Sequence, residues 1–169
     1  MIANCDSYRM DNRTKAEFAN DIEVGSAAEL AIVQRYVHYM HRVYGIELRI
    51  TDNGCGNAGQ FLEGHQVSTA ADYLIEGKPV EIKFNNRMLT TFRAKVSQIE
   101  SYYRQGAAII WVNGYLTKTP VFTYISKEKL MSIMLAGTET PFEGWGGKMC
   151  YTLNNADFDW YNLDELGGK

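Results

Sequence analysis

An α/β fold, with a mixed central sheet covered by helices, is what this chain predicts, and three observations carry the prediction. A helical apolar pattern precedes a group of short β-rich runs. A second helical pattern is followed by a nearly continuous apolar run. The third is bulk: 46% apolar residues over a length of 169 suffice for one hydrophobic core but not for two domains of ordinary size. A single domain is therefore expected over residues 1–169, with a core from about 25 to 126 and an extension over 127–169.

Residues 26–44 read as the first helix, because Leu30, Val33, Val37, Met40 and Tyr44 recur at three- and four-residue steps while Gln34, Arg35, His38, His41 and Arg42 fall opposite. Ser26 is its expected N-cap, Glu29 takes the capping-box position, and Gly45 ends it. Residues 46–51 alternate as a strand, and the Gly- and Asn-rich segment 52–64 reads as a loop. Two β-rich arms, 71–76 and 79–85, flank Gly77 and Lys78 in a tight hairpin that carries Asp72 on one arm and Glu81 and Lys83 on the other. A helix is predicted over 91–105, with Phe92, Val96, Ile99 and Tyr103 on one face and Gly106 as the stop. The apolar run 107–113 is a buried strand, 121–126 another strand, and 127–135 a short helix. The order is αβββαβ with a C-terminal βα extension.

Composition excludes several functional classes. No apolar run approaches the roughly 20 residues that span a bilayer, and the polar start over 1–13 lacks a secretory stretch, so a soluble cytoplasmic protein without a membrane partner is expected. Cys5, Cys55 and Cys150 are far apart and lack Cys or His neighbours at ligand spacing, which argues against a disulfide framework and a zinc site. The glycines of 53–59 lack the Gly-Lys-Ser/Thr of a phosphate loop. His38 and His41 read as surface residues and His65 as a lone loop histidine. A net charge of −3 gives no bulk attraction to nucleic acid, although a local basic strip suffices to hold phosphates.

One set of residues carries chemistry. On a helical wheel Glu29 falls inside the apolar stripe, among Leu30, Val33, Tyr36, Val37 and Met40, and so points toward the sheet. A carboxylate facing a core requires a partner or a cation, the plainer alternative being a helix cap. In the second hairpin arm Val80, Ile82 and Phe84 alternate with Glu81, Lys83 and Asn85, and Asp72 can lie across from that polar side. Carboxylates converging with a lysine can hold Mg²⁺ through oxygen and still offer a cation to an attacked phosphate, whereas Glu-x-Lys alone is commonly a surface salt bridge.

The run from Asp72 to Lys83, D-x8-E-x-K, resembles the defining motif of the PD-(D/E)XK nuclease superfamily, and Gly25-Ser-Ala-Ala-Glu29 resembles the helix bearing its upstream acid. Ala71 stands where a proline usually precedes the aspartate. In the following helix Gln98-Ile-Glu-Ser-Tyr102 resembles the Q-x-x-x-Y pattern of the RecB-nuclease and lambda-exonuclease branch. The resemblance covers about 25–126 and implies a restriction-endonuclease-like fold and phosphodiester hydrolysis with one or two Mg²⁺ or Mn²⁺ ions. It implies Glu29, Asp72, Glu81 and the Ile82 carbonyl as metal ligands, Lys83 beside the attacking water, and Gln98 orienting the water or a phosphate. Tyr102, Lys95, Asn85, Asn86, Arg87 and Arg93 are expected to contact substrate, taken as DNA with RNA left open, and a homodimer suits a sequence- or junction-specific enzyme. The alternatives are a non-catalytic nucleic-acid-binding or structural domain of the same fold, and a ligand- or protein-interaction module resting on the acidic charge and aromatic tail. In that tail Phe142, Trp145, Tyr151, Phe158, Trp160 and Tyr161 read as core or subunit contact ahead of a base-stacking platform.

Overall fold

The computed structural model describes residues 15–53 and 70–163. It is α/β, with three α-helices, a mixed six-stranded sheet and a separate three-stranded antiparallel sheet among the described residues. The helices are α1 (Lys15–Tyr44), α2 (Val96–Gln105) and α3 (Lys127–Ala136). The large sheet orders β1 (Ile50–Asp52), β2 (Tyr73–Ile75), β3 (Lys78–Asn85), β5 (Ala108–Asn113), β6 (Val121–Ile125) and β9 (Tyr161–Asn162). Every neighbouring pair is antiparallel except β3 and β5, which run parallel and so require the crossover that α2 provides. The small sheet orders β4 (Thr91–Lys95), β8 (Lys148–Asn154) and β7 (Glu139–Phe142).

Strand β5 is buried along its whole length, and its alternation shows how the layers divide. Ile110 and Val112 point into a core shared with Ile32, Val33 and Tyr36 of α1 and with Val80, Ile82 and Phe122. Ile109 and Trp111 point the other way, into a core shared with Ile99 of α2, Leu130 and Ile133 of α3, and Phe92, Tyr151 and Leu153 of the small sheet. The continuous apolar run in the sequence thus reflects a strand covered on both faces. Phe122 fixes α1 to the sheet, with ring centroids 5.7 Å from Tyr36 and 5.0 Å from Tyr39, both edge-on.

Local rules account for the turns that bear on the site. The β2–β3 hairpin closes with a two-residue loop, Glu76 and Gly77, between the paired Ile75 and Lys78, one residue earlier than the Gly77–Lys78 loop read from the sequence. Both loop residues have positive φ, 48° and 75°, as a type I′ turn requires and as a glycine at the second position favours. Gly106 takes the left-handed conformation at the C-cap of α2.

Four sequence expectations are corrected. The first helix begins by Lys15, so Ser26 is mid-helix and neither it nor Glu29 caps a start; the apolar stripe alone does not mark where a helix begins. Leu30, expected in that stripe, is exposed. The strand predicted over 46–51 is reduced to Ile50–Asp52. Thr91–Lys95 is a strand rather than the first turn of a helix, because Phe92 and Ala94 face inward at period two and pair with Leu153 and Tyr151, partners remote in sequence. Beyond α3 the chain adds β7, β8 and β9, where the sequence predicts only a βα extension. Cys5, Cys55, His65 and most of the 52–64 loop lie outside the described residues.

Truncating Phe122 should test how far the α1 layer depends on it. Phe122→Ala is expected to destabilise the protein by about 3–5 kcal/mol in urea unfolding, since the side chain is 1% exposed. Leu116→Ala, at a position 73% exposed, should change stability by less than about 0.5 kcal/mol.

Candidate active site

Strand β3 lies at the middle of the large sheet and sends Val80 and Ile82 into the α1-side core. Glu81 therefore faces the opposite layer, level with Ile109 of β5, and Lys83 lies level with Trp111. Glu81 is 5% exposed, and its Oε1 has two partners. The Lys83 ammonium forms an ion pair with it, and the Tyr102 hydroxyl donates to it at 2.6 Å. Tyr102 comes from α2, where Val96, Ile99 and Tyr102 are buried at three-residue steps. The Lys83 Nζ also lies 5.7 Å from the centroid of the Tyr102 ring.

Asp72 sits on the bend just ahead of β2 rather than on the strand itself. The β2–β3 ladder closes at Tyr73 and Val80, and Asp72 Oδ2 accepts from the Ile82 amide at 3.1 Å, standing in for the next rung. The amide and carbonyl of one strand residue face the same edge, so the Ile82 carbonyl opens on the Asp72 side. The backbone of Asp72 is tied down as well, its carbonyl accepting from Asn53 at 3.0 Å.

Glu29 arrives from α1, one turn ahead of the buried Ile32 and Val33 that hold the helix to the sheet. It is half-buried and makes no hydrogen bond or ion pair with another described residue, yet its charge is felt by Asp72, and it feels Glu81 and Lys83 in turn. Three acids, from α1, the bend before β2, and β3, thus share the influence of the Lys83 ammonium.

Their electrostatics follow from that imbalance. Burial pushes the Glu29 carboxyl up to about 7; Lys83 pulls it back and the Glu81 charge adds to the rise. Asp72 is likewise pushed up to about 7, by burial first and then by Glu81 and Glu29, against the Ile82 amide and Lys83. The Tyr102 hydroxyl is raised far above its usual range by burial, the Glu81 charge and the hydrogen bond to Glu81, so it remains a donor. Near neutrality the site favours added positive charge, whether as protons or as a hard cation. The donor set suits such a cation, being carboxylate and carbonyl oxygen. As the side chains stand, however, no group of three His, Cys, Asp or Glu among the described residues is arranged to hold a metal ion. Glu81 is turned toward Lys83 and Tyr102 instead.

The remaining candidates separate into three groups. Tyr102, expected beside the apolar face and against substrate, is 4% exposed and touches Glu81; the misplacement arose because a helix drawn from residue 91 sets Phe92 on the same wheel, whereas α2 begins at Val96. Gln98 is half-buried, one turn ahead of Tyr102. Asn85 ends β3 half-buried, its Nδ2 without a hydrogen-bond partner among the described residues, and Asn86 and Arg87 are exposed just beyond. Lys95 and Arg93 belong to β4, with Lys95 Nζ 5.0 Å from the Trp145 centroid and the Arg93 guanidinium 4.3 Å from that of Phe142. Sequence reasoning missed Lys148, whose charge acts on Lys95, because only the β4–β8 pairing, which sets Lys95 level with Cys150, brings it there.

The raised carboxyl groups make a stability prediction for metal-free protein. Unfolded acids ionise near 4, while Glu29 and Asp72 hold their protons to about 7, so the folded state binds more protons in between. Their contribution to stability is full below about 4 and is lost as pH rises through 7. The melting temperature in EDTA should include a fall on the order of a few °C between about pH 5 and 8 from this source. Asp72→Asn, which keeps an acceptor for Ile82, should remove part of that fall; an identical pH profile in the variant would locate the proton uptake elsewhere.

Compared with known proteins, the chain matches no family model, no curated protein and no solved structure.

Proposed function

We propose that the protein is a divalent-cation-dependent nuclease of the PD-(D/E)XK type that hydrolyses phosphodiester bonds in DNA. The observation that carries the reading is that Lys83 and the Glu81 charge act on both Glu29 and Asp72, each pushed up to about 7 by burial first and then by neighbouring acids, Glu81 for Glu29 and Glu81 with Glu29 for Asp72. Perturbed carboxyl groups gathered from separate elements are a mark of functional sites. The succession α1, β1, β2, β3, α2, β5 supports the restriction-endonuclease-like fold, with β4 an insertion.

Glu29, Asp72, Glu81 and the Ile82 carbonyl are the groups that would hold one or two Mg²⁺ or Mn²⁺ ions, which when bound would supply Lewis-acid polarisation of the phosphate. The protein groups do the rest. Lys83, partly accessible beside Glu81, places a positive charge where a phosphate gathers negative charge in the transition state. Tyr102 is a positioning residue, since its hydroxyl fixes Oε1 of Glu81 and leaves Oε2 for other contacts. Gln98 orients the water or a phosphate from the same helix. One observation favours a second reading, a non-catalytic domain in which the same charges are structural: Glu81 already has two partners inside the protein.

Purified protein should degrade DNA with Mg²⁺ or Mn²⁺ and not with EDTA, and linear, circular, single-stranded and RNA substrates assayed side by side define its range. Lys83→Ala should lower kcat by roughly 10²–10³-fold while the fold, followed by circular dichroism, persists. Wild-type activity in that variant removes the lysine from the mechanism, and absence of cleavage by the unaltered protein on every substrate favours the structural reading. Tyr102→Phe should reduce activity or cation affinity by about 10- to 100-fold, seen as a higher cation concentration for half-maximal rate.

A further inference from the structure

The outer face of the small sheet is segregated by charge in a way that the acidic chain as a whole is not. Cross-strand partners share a face. Thr91, Arg93 and Lys95 of β4 therefore lie level with Asn154, Thr152 and Cys150 of β8. On the next strand, Phe142 lies level with Lys148 and Thr140 with Cys150. The opposite face carries Phe92, Ala94, Tyr151 and Leu153 into the core. No carboxylate occupies any of the outer positions, although the chain carries a net charge of −3. Glu139 belongs to the other face, where it accepts from the Tyr151 hydroxyl at 3.3 Å, and Glu143 stands in the turn beyond β7.

Two aromatic rings adjoin these cations. Phe142 and Trp145 meet edge-to-face with centroids 5.1 Å apart, under Arg93 and Lys95 respectively. Trp145 keeps 36% of its surface open. The strip also leads to the candidate site, because the Lys95 ammonium feels both Lys148 on its own sheet and Lys83 on β3. Cations that track a backbone, interleaved with an open aromatic ring on which a base can stack, form the recognition chemistry of unpaired strands. A duplex offers no base face to such a ring. An acidic peptide would use the cations and leave Trp145 without a role.

We propose that the outer face of the β4–β8–β7 sheet is a binding platform for single-stranded nucleic acid, with Arg93 and Lys148 contacting phosphates and Trp145 stacking on a base. The platform deepens the nuclease reading and rests on it for its purpose: it would hold an unpaired segment next to the bond that Lys83 faces.

Binding is measured with the whole protein in EDTA, where cleavage does not intervene, using a labelled oligothymidylate of about 15 nucleotides. Trp145→Ala should weaken binding between about fivefold and a hundredfold. Trp145→Phe should retain affinity within a few-fold while losing the tryptophan fluorescence quench that accompanies binding. Arg93→Ala combined with Lys148→Ala, both at exposed positions, should reduce the slope of log affinity against log salt by about 1.4, at roughly 0.7 per cation for single strands. Thermal melting of each variant establishes that it is folded. Affinity unchanged in all three, equal binding of a blunt duplex, or displacement of the oligonucleotide by polyglutamate at matched charge each overturns the proposal, the last in favour of an acidic protein partner. Cleavage with Mg²⁺ is scored separately. Metal-dependent cleavage by wild type with binding unaltered in the variants overturns the platform and leaves the nuclease. Loss of binding as stated, with no cleavage by any form, supports the platform and removes the nuclease.

Discussion

Everything at the candidate site depends on packing three carboxyl groups against a sheet that offers them one ammonium. Removing an acid from water disfavours its charge, and placing acids side by side disfavours it further. Glu29 and Asp72 register both effects, each held at about 7. Such an arrangement detracts from the stability of the ionised protein. It persists because the surrounding layers are tightly packed, and it leaves a place where added positive charge is welcome.

Those layers divide the labour. The α1 face delivers Glu29, and the helix is held by Ile32, Val33 and the edge-on contacts of Tyr36 and Tyr39 with Phe122. The α2 face delivers the Tyr102 hydroxyl to Glu81. Between them β3 alternates, apolar toward α1 and charged toward α2, so that Glu81 and Lys83 reach the second layer while Ile82 anchors the first. The shortness of β2 is equally consequential. Because its ladder stops at Tyr73, the Ile82 amide is available to Asp72, which orients that carboxyl without a second cation.

The small sheet links this centre to the surface. Its inner face completes the core around Trp111 and Phe92, whose centroids lie 4.4 Å apart, and its outer face gathers cations and exposed aromatic surface. One element thereby serves stability on one side and recognition on the other, as period-two alternation allows.

The sequence by itself determined the α/β class, a tight turn containing Gly77, the buried strand β5 and the stop at Gly106, and it nominated Glu29, Asp72, Glu81 and Lys83 as candidates. These are local quantities: apolar period, which also placed Glu29, turn chemistry, and, for Asp72, Glu81 and Lys83, a spacing short enough to be read along one stretch of chain. Only the tertiary structure decided that residues 91–95 are a strand, since Phe92, Ala94 and Val96 suit either period and the choice is made by pairing with β8, far along the chain. The same holds for Tyr102, whose burial depends on where α2 starts, and for Lys148, which joins Arg93 and Lys95 only across two strands. The tertiary structure also turned Glu81 toward Lys83 and Tyr102, a side-chain choice set by which donors lie within reach. Periodicity reports which side of an element is apolar; what that side meets is fixed by contacts between residues distant in the chain.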